Sequence, residues 1–324
     1  MSTYDLTRLL PADHFGQALR HDVQQGLTAY PKWLPPKWFY DARGSELFEE
    51  ITRLPEYYPT RAEREILTAR SREIAAITRA RTLVELGSGS SEKTRLLLDA
   101  LSELGTLAEY VPVDVSESAL ESAAESLTAQ YPKLAVRAVV SDFTHGLGLS
   151  DGAGGPRLVA FLGGTLGNLL PDERAGFLAS LRAGLEPGDA VLLGTDLVKE
   201  AGVLVAAYDD AAGVTAAFNK NVLTVLNREL GADFDPDQFD HVALWDAKRE
   251  WIEMRLRSRR AQTVKIRELG LPVHFDEGEE LRTEISAKFS HTRIADELAA
   301  AGMRLAEWWT DEAGRFGLSL AVPV

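Results

Sequence analysis

Two rhythms of apolar and polar residues divide this chain. Between residues 62 and 196, short apolar runs alternate with stretches of helical periodicity. Thr82–Leu86, 110–115, Ala135–Val140, 157–162 and 190–195 are nearly unbroken apolar runs, the mark of strands covered on both faces. The stretches 117–129 and 171–185 have helical spacing, and Pro171-Asp172-Glu173 opens the second as a helix start should. Strand and helix in alternation predict an α/β fold on a mostly parallel sheet.

Beyond Asp196 the rhythm changes. Residues 197–230 read as one long helical region with weak points at Gly202 and Gly213. Runs at 241–245, 251–260, 262–269 and 281–289 then alternate at period two. Hairpin-type turns at Asp246-Ala247-Lys248-Arg249 and Asp276-Glu277-Gly278 predict an antiparallel sheet there. A helix at 292–302 and a strand pair at 304–309 and 316–322 close the chain. The expected division is a core of residues 62–196 plus 287–324, and an inserted α+β lobe of residues 1–61 plus 197–286 over the core's binding crevice.

Composition narrows the classes. At 324 residues there is chain enough for one large domain or two modest ones with real cores. No run of about 18 apolar residues is present, so no membrane span is expected. Met1-Ser2-Thr3-Tyr4-Asp5 is no secretory signal, and cytoplasmic residence is the expectation. Without cysteine there is neither a disulfide framework nor a thiolate metal site. The six histidines are scattered without an i, i+4 pair, and no metal is expected. A formal net charge of -14 opposes a phosphate backbone, which argues against a nucleic-acid substrate. The short basic run Arg257-Ser258-Arg259-Arg260 reads as a solvated face. A monomer acting on a small molecule, with no membrane partner, is the expectation.

The segment after the first buried strand carries the chemistry. Gly87-Ser88-Gly89-Ser90-Ser91-Glu92-Lys93-Thr94 joins strand to helix by a glycine turn, where a nucleoside-bearing ligand can approach bare backbone. A nucleoside triphosphate, a dinucleotide and S-adenosylmethionine (SAM) are the three candidates. The phosphate loop G-x-x-x-x-G-K-[ST] fails because Glu92 stands in place of its second glycine. The dinucleotide pattern G-x-G-x-x-G fails at the same position. SAM has no phosphate and is cationic at its sulfonium and amine, so a nearby carboxylate does it no harm. Asp114, at the next strand end, can accept from ribose hydroxyls. Asp142 can take the adenine amino group with Phe143 packed on the base, although either acid alone also reads as a helix cap. Asn168 follows the glycines 163, 164 and 167 and would face the reacting centre.

These segments, with others along the chain, resemble the actinobacterial histidine-specific N-alpha-methyltransferase family of ergothioneine biosynthesis. The likeness is carried by LPPKWFYD at 34–41, TRLPEYYPTR at 52–61, ELGSG at 85–89, FLGGTLGN at 161–168, GTDLVK at 194–199, YDDAAGVTAAFN at 208–219 and FGLSL at 316–320. It spans nearly the whole chain, with Gly164 for a serine and Leu166 for an isoleucine as small departures. The resemblance implies a Rossmann-like class I SAM-dependent methyltransferase core with an inserted substrate-binding domain. It implies three successive methylations of L-histidine to hercynine. SAM would be held by Gly87, Lys93, Asp114, Asp142 and Phe143, with Tyr40 near cofactor and amine. Histidine would be held by Tyr57, Asn168, Tyr208, Glu284 and Ser286, with Met254 lining its pocket.

Such residues suit the chemistry. Only the neutral amine has a lone pair to alkylate, and a free α-amino group titrates near about 8. A desolvated pocket shifts it further toward neutrality, so orientation matters more than a strong base. The Asn168 amide can accept from the amine without pinning it as ammonium. In a strand, Glu284 and Ser286 share one face. A carboxylate that accepts and a hydroxyl that donates would read both imidazole nitrogens. The nearest rival is another amino-acid N-methyltransferase, for instance of tryptophan, whose indole needs only an acceptor.

Overall fold

In the computed structural model, residues 4–11, 13–89, 91–142 and 154–324 are described. Along the chain run β1 (Asp5–Arg8), α1 (His14–Thr28), β2 (Lys32–Trp33), α2 (Ala42–Ile51), α3 (Pro59–Thr78), β3 (Thr82–Leu86) and α4 (Arg95–Leu104). Next come β4 (Glu109–Asp114), α5 (Glu117–Gln130), β5 (Ala135–Val140), β6 (Arg157–Phe161), α6 (Pro171–Ala183) and β7 (Ala190–Asp196). Then follow α7 (Ala201–Tyr208), α8 (Val214–Leu230), β8 (Phe239–Asp246), β9 (Trp251–Ser258), β10 (Gln262–Ile266) and β11 (Leu271–Phe275). The last are β12 (Glu280–Ala287), α9 (His291–Ala300), β13 (Met303–Thr310) and β14 (Phe316–Pro323). Two compact units result: Met1–Pro11, Arg61–Leu197 and Phe289–Val324 in one, Ala12–Thr60 and Val198–Lys288 in the other.

Among the described residues of the first unit, eight strands form one sheet in the order β1-β5-β4-β3-β6-β7-β14-β13. Strands β3 to β7 pair in parallel, and β14 lies antiparallel to β7. Every residue of β3, β6 and β7 is buried, which is why their sequences are largely apolar instead of alternating. The chain leaves β3 toward β4 on one side and returns to pair β6 on the other. That reversal opens a crevice at the carboxyl ends of β3 and β6, where ligands of such sheets bind.

One boundary differs from the expectation. Residues 1–61 read as part of the second lobe, yet β1 pairs in parallel with β5, Asp5 opposite Arg137, at the edge of the first unit's sheet. Four mostly exposed residues carry too little periodicity to reveal this.

In the second unit, β2, β12, β9 and β8 form a sheet, antiparallel except for the short parallel pair β2–β12. Its core joins Leu19, Val23, Phe39, Phe218, Val222, Leu226, Ile252, Leu256 and Leu281. The expected single helix 197–230 is two. Gly202 is tolerated, and Glu200 caps α7 by accepting from Val203 N at 2.9 Å. The break falls at Gly213, whose φ of 76° is left-handed, with the Asp210 carboxylate accepting from Val214 N and Thr215 N to start α8. The expected strand 262–269 likewise stops at Ile266. Gly270, at φ 58°, turns the chain back as β11, antiparallel to β10.

Candidate functional site

In the first unit the glycine turn grows out of β3. Gly87 and Gly89 have φ of 68° and 48°, the left-handed region that glycine enters without a Cβ clash. Gly87 N donates to Val113 O at 2.8 Å, and Gly89 N donates to Asp114 Oδ2 at 3.1 Å, so the turn is tied to the end of β4. Ser91 is also left-handed, at φ 53°, and its Oγ lies 2.8 Å from Tyr110 Oη. Beneath the turn the fully buried Glu85 carboxylate accepts from Thr94 Oγ1 and Tyr110 Oη. Burial pushes Glu85 up to about 7, against the lowering by those two hydrogen bonds and by the Lys93 charge.

Asp114 ends β4. Its Oδ1 accepts from Ser116 N at 2.9 Å, while the N-cap of α5 is Ser116 itself. Burial raises the Asp114 pKa, opposed by N–H donors from Ser116 and Gly89. A carboxylate has about four acceptor positions, so the backbone donors of Ser116, Gly89 and Val115 leave it able to take a further hydroxyl donor. Asp142 is buried in the segment after β5; Phe143 lies outside the described residues.

A residue that sequence reasoning passed over organises the crevice. Glu63, on α3, is completely buried. One carboxylate oxygen pairs with Lys93 Nζ, and the other accepts from Gly163 N at 2.8 Å. Gly194 on β7 makes room for it, since a Cβ there would lie 2.1 Å from Glu63 Oε1. One acid thus fastens α3 to the turns after β3 and β6. It also neutralises the lysine that a phosphate would need, whereas Glu92 is turned out toward Arg64 at 3.3 Å. Exclusion of phosphate rests on Glu63 more than on Glu92. In its amphipathic helix Glu63 looks like any surface glutamate, and no sequence signal marked it.

Asn168 closes a short 3-10 turn, Thr165–Asn168, just after β6 and is half-buried. Glycine turn, Lys93, Asp114 and Asn168 therefore share the carboxyl ends of neighbouring strands. Two observations fit SAM here. Ser88 Oγ is buried with no hydrogen-bond partner among the described residues, and the space beside Gly89 is open.

The second unit gathers the remaining candidates. Glu284 on β12 stands opposite Met254 on β9, and Ser286 opposite Ile252, so Glu284, Ser286 and Met254 share one face of the sheet. Tyr208, the last residue of α7, donates from Oη to Ser286 Oγ at 2.7 Å. The Tyr57 ring meets the Tyr208 ring edge-on, centroids 6.3 Å apart. Tyr40 is half-exposed, edge-on to Phe48 and Phe218 at 5.5 and 5.4 Å.

A buried network fixes Tyr208 from behind. His241 Nε2 donates to Tyr208 O at 2.8 Å, and its Nδ1 accepts from Asn219 Nδ2 at 2.9 Å. Asn219 Oδ1 accepts from Thr283 Oγ1 at 2.6 Å. Burial lowers the His241 pKa, so the ring stays neutral in the tautomer this network requires. Sequence reasoning also missed Lys288, fully buried, with Nζ 2.8 Å from Ser286 Oγ and 3.0 Å from Tyr208 Oη. Its signal was present in the i, i+2, i+4 spacing of Glu284, Ser286 and Lys288, the last of them one residue past the end of β12.

The first unit's sheet order, the glycine turn after β3 and the acid at the end of β4 define a class I SAM-dependent methyltransferase core with an α+β insertion. Residues 19–323 match the family described as histidine-specific, SAM-dependent methyltransferases, and the chain belongs to that family. It is 58% identical over 320 residues to the histidine N-alpha-methyltransferase of Mycolicibacterium smegmatis, covering 99% of both chains. Ergothioneine biosynthesis protein 1 of Schizosaccharomyces pombe is 32% identical over 224 residues, 66% of this chain and 29% of that protein. The 4-dimethylallyltryptophan N-methyltransferase of Claviceps purpurea is 30% identical over 176 residues, 52% of this chain and 51% of that protein.

Proposed function

We propose that this protein transfers three methyl groups in succession from SAM to the α-amino nitrogen of L-histidine, giving hercynine, the first step of ergothioneine biosynthesis. It acts as a cytoplasmic monomer. SAM supplies an electrophilic methyl carbon. Gly87, Lys93, Asp114, Asp142 and Phe143 hold the cofactor, and Tyr57, Tyr208, Met254, Glu284 and Ser286 hold the amino acid. Asn168 orients the amine, with Tyr40 beside it. In each transfer the nitrogen lone pair forms the N–C bond as the C–S bond breaks, and S-adenosylhomocysteine leaves. The first two transfers are each followed by loss of a proton from the nitrogen; the third product has none to lose. Asn168 suits all three rounds, because an amide neither demands nor retains a proton on the amine.

The observation that carries the substrate assignment is the shared face of Glu284, Ser286 and Met254 with the Tyr208 hydroxyl on Ser286. It offers one acceptor and hydroxyl groups beside an apolar wall, which matches an imidazole with one N–H and one bare nitrogen. The 58% identity to a histidine N-alpha-methyltransferase supports the same reading. Incubation with SAM and histidine, followed by mass spectrometry, should give a product heavier by three methyl groups. The second reading, another aromatic amino acid, is favoured by the likeness to a methyltransferase named for a tryptophan derivative. Calorimetric titration over an amino-acid panel decides between them: tighter binding of tryptophan than of histidine would reverse the assignment.

A further inference from the structure

We infer that Lys288 is a positioning residue that sets substrate specificity, by fixing the Ser286 hydroxyl as a hydrogen-bond donor toward the ligand. The inference rests on the reading that Glu284 and Ser286 face the ring of the amino-acid substrate. Lys288 is completely buried, one residue past the end of β12 and two past Ser286. Its Nζ donates to Ser286 Oγ at 2.8 Å and to Tyr208 Oη at 3.0 Å, and it lies 4.7 Å from the centroid of the Tyr208 ring. Tyr208 Oη also donates to Ser286 Oγ at 2.7 Å.

A hydroxyl has two lone pairs and one proton. Both lone pairs of Ser286 Oγ are engaged, one by the tyrosine and one by the lysine, so the proton is what remains to offer. Ser286 is 5% exposed, so water is a poor recipient for that proton. Whatever stands before Ser286 must therefore accept. The lysine charge also polarises the hydroxyl and strengthens it as a donor. Glu284, on the same face, has the opposite demand, since a carboxylate only accepts.

The pair thus specifies a ring with one N–H and one unprotonated nitrogen, and rejects two other kinds. An imidazolium would set a second N–H against an oxygen whose lone pairs are filled. An indole or pyrrole satisfies Glu284 and leaves the Ser286 proton without an acceptor, a mismatch that selective sites turn into large discrimination. A lysine buried merely as a packed cation would affect all substrates alike.

Specificity tests separate these roles. The ratio of kcat/KM for histidine to that for each pyrrolylalanine isomer, which keeps one N–H and lacks the acceptor nitrogen, is measured for four forms. Wild type should favour histidine by at least about tenfold. Lys288→Met should bring that ratio close to one, through a higher KM for histidine with the pyrrole substrates little changed. Lys288→Gln, which keeps one donor, should fall between. An unchanged ratio in Lys288→Met overturns the role given to Lys288. Ser286→Ala tests the underlying reading: an unaltered ratio there removes the imidazole assignment itself, whereas collapse in Ser286→Ala but not in Lys288→Met removes only the lysine. A measurement on the wild-type protein guards against variants that do not fold. Ring-15N histidine bound with S-adenosylhomocysteine should keep one unprotonated ring nitrogen at pH about 6, below the ordinary imidazole pKa of about 6.5. Two protonated nitrogens in that complex overturn the inference.

Discussion

The two units bury opposite charges at their candidate sites. In the first, two acids sit under the backbone turns: Glu85 beneath the glycine turn, and Glu63 behind Lys93 and Gly163. In the second, a lysine and a neutral histidine stand behind the hydroxyls of Ser286 and Tyr208. The difference matches what the proposed function asks each unit to hold. In the first unit the Glu63 charge is taken up by Lys93, whereas in the second a ring nitrogen that must accept is favoured near a polarised donor. A cofactor common to many reactions needs shape and charge; one amino acid among twenty needs a specific pattern of donors and acceptors.

The comparison can be broken most severely at Glu63. Glu63→Ala leaves Lys93 without this carboxylate and Gly163 N without its acceptor, and loss of one partner of such a pair costs about 3–5 kcal/mol. Denaturant melts should show that loss, with weaker binding of S-adenosylhomocysteine. A variant as stable as wild type would mean that the pair does not organise the crevice.

Next comes Glu85. Its folded pKa, about 7, lies above the ordinary 4.5, so its favourable contribution is full below about 4.5 and disappears as pH rises through 7. At most about 3 kcal/mol is involved. Glu85→Gln imitates the protonated form, so its stability should fall less than that of wild type between pH 5 and 8. Parallel curves would show that Glu85 titrates normally.

A smaller effect with a sharper meaning is expected at Glu284. Glu284→Ala should lower kcat/KM for histidine at least about tenfold, as loss of a charge-assisted hydrogen bond does. Affinity for S-adenosylhomocysteine should not move, because the proposed function gives that ligand to residues of the other unit. Equal losses for both ligands would end the division of labour drawn here.

The smallest effect concerns His241. Burial lowers its pKa, so its contribution is full above the ordinary 6.5 and is lost as pH falls toward the lowered value. The stability of His241→Gln should decline less steeply on acidification than that of wild type. The slope is opposite in sign to that at Glu85, so pH titration of the two variants separates the two buried environments.

Much of the fold was legible because its signals are local. Strands covered on both faces are largely apolar, and β3, β6 and β7 are so apart from Thr82, Glu85, Arg157, Thr195 and Asp196. The glycine turn was legible for the same reason, since a left-handed φ at Gly87 and Gly89 restricts which residues can stand there. The break before α8 and the reversal before β11 were not, because Gly213 and Gly270 look no different from Gly202, which sits inside α7. What separates them is the capping carboxylate of Asp210 and the partner strand, and neither is written in the glycine itself.

At the site, the sequence by itself determined the spacing of Glu284 and Ser286, the acid at the end of β4 and the identity of the turn residues. Only the tertiary structure decided that Glu63 from a distant helix neutralises Lys93, and that Lys288 and Tyr208 together occupy both lone pairs of Ser286. The reason is physical. A backbone preference acts within a few residues of chain, but whether a buried charge has a partner, and which way a hydroxyl proton points, depends on groups that only folding brings within 3 Å of each other.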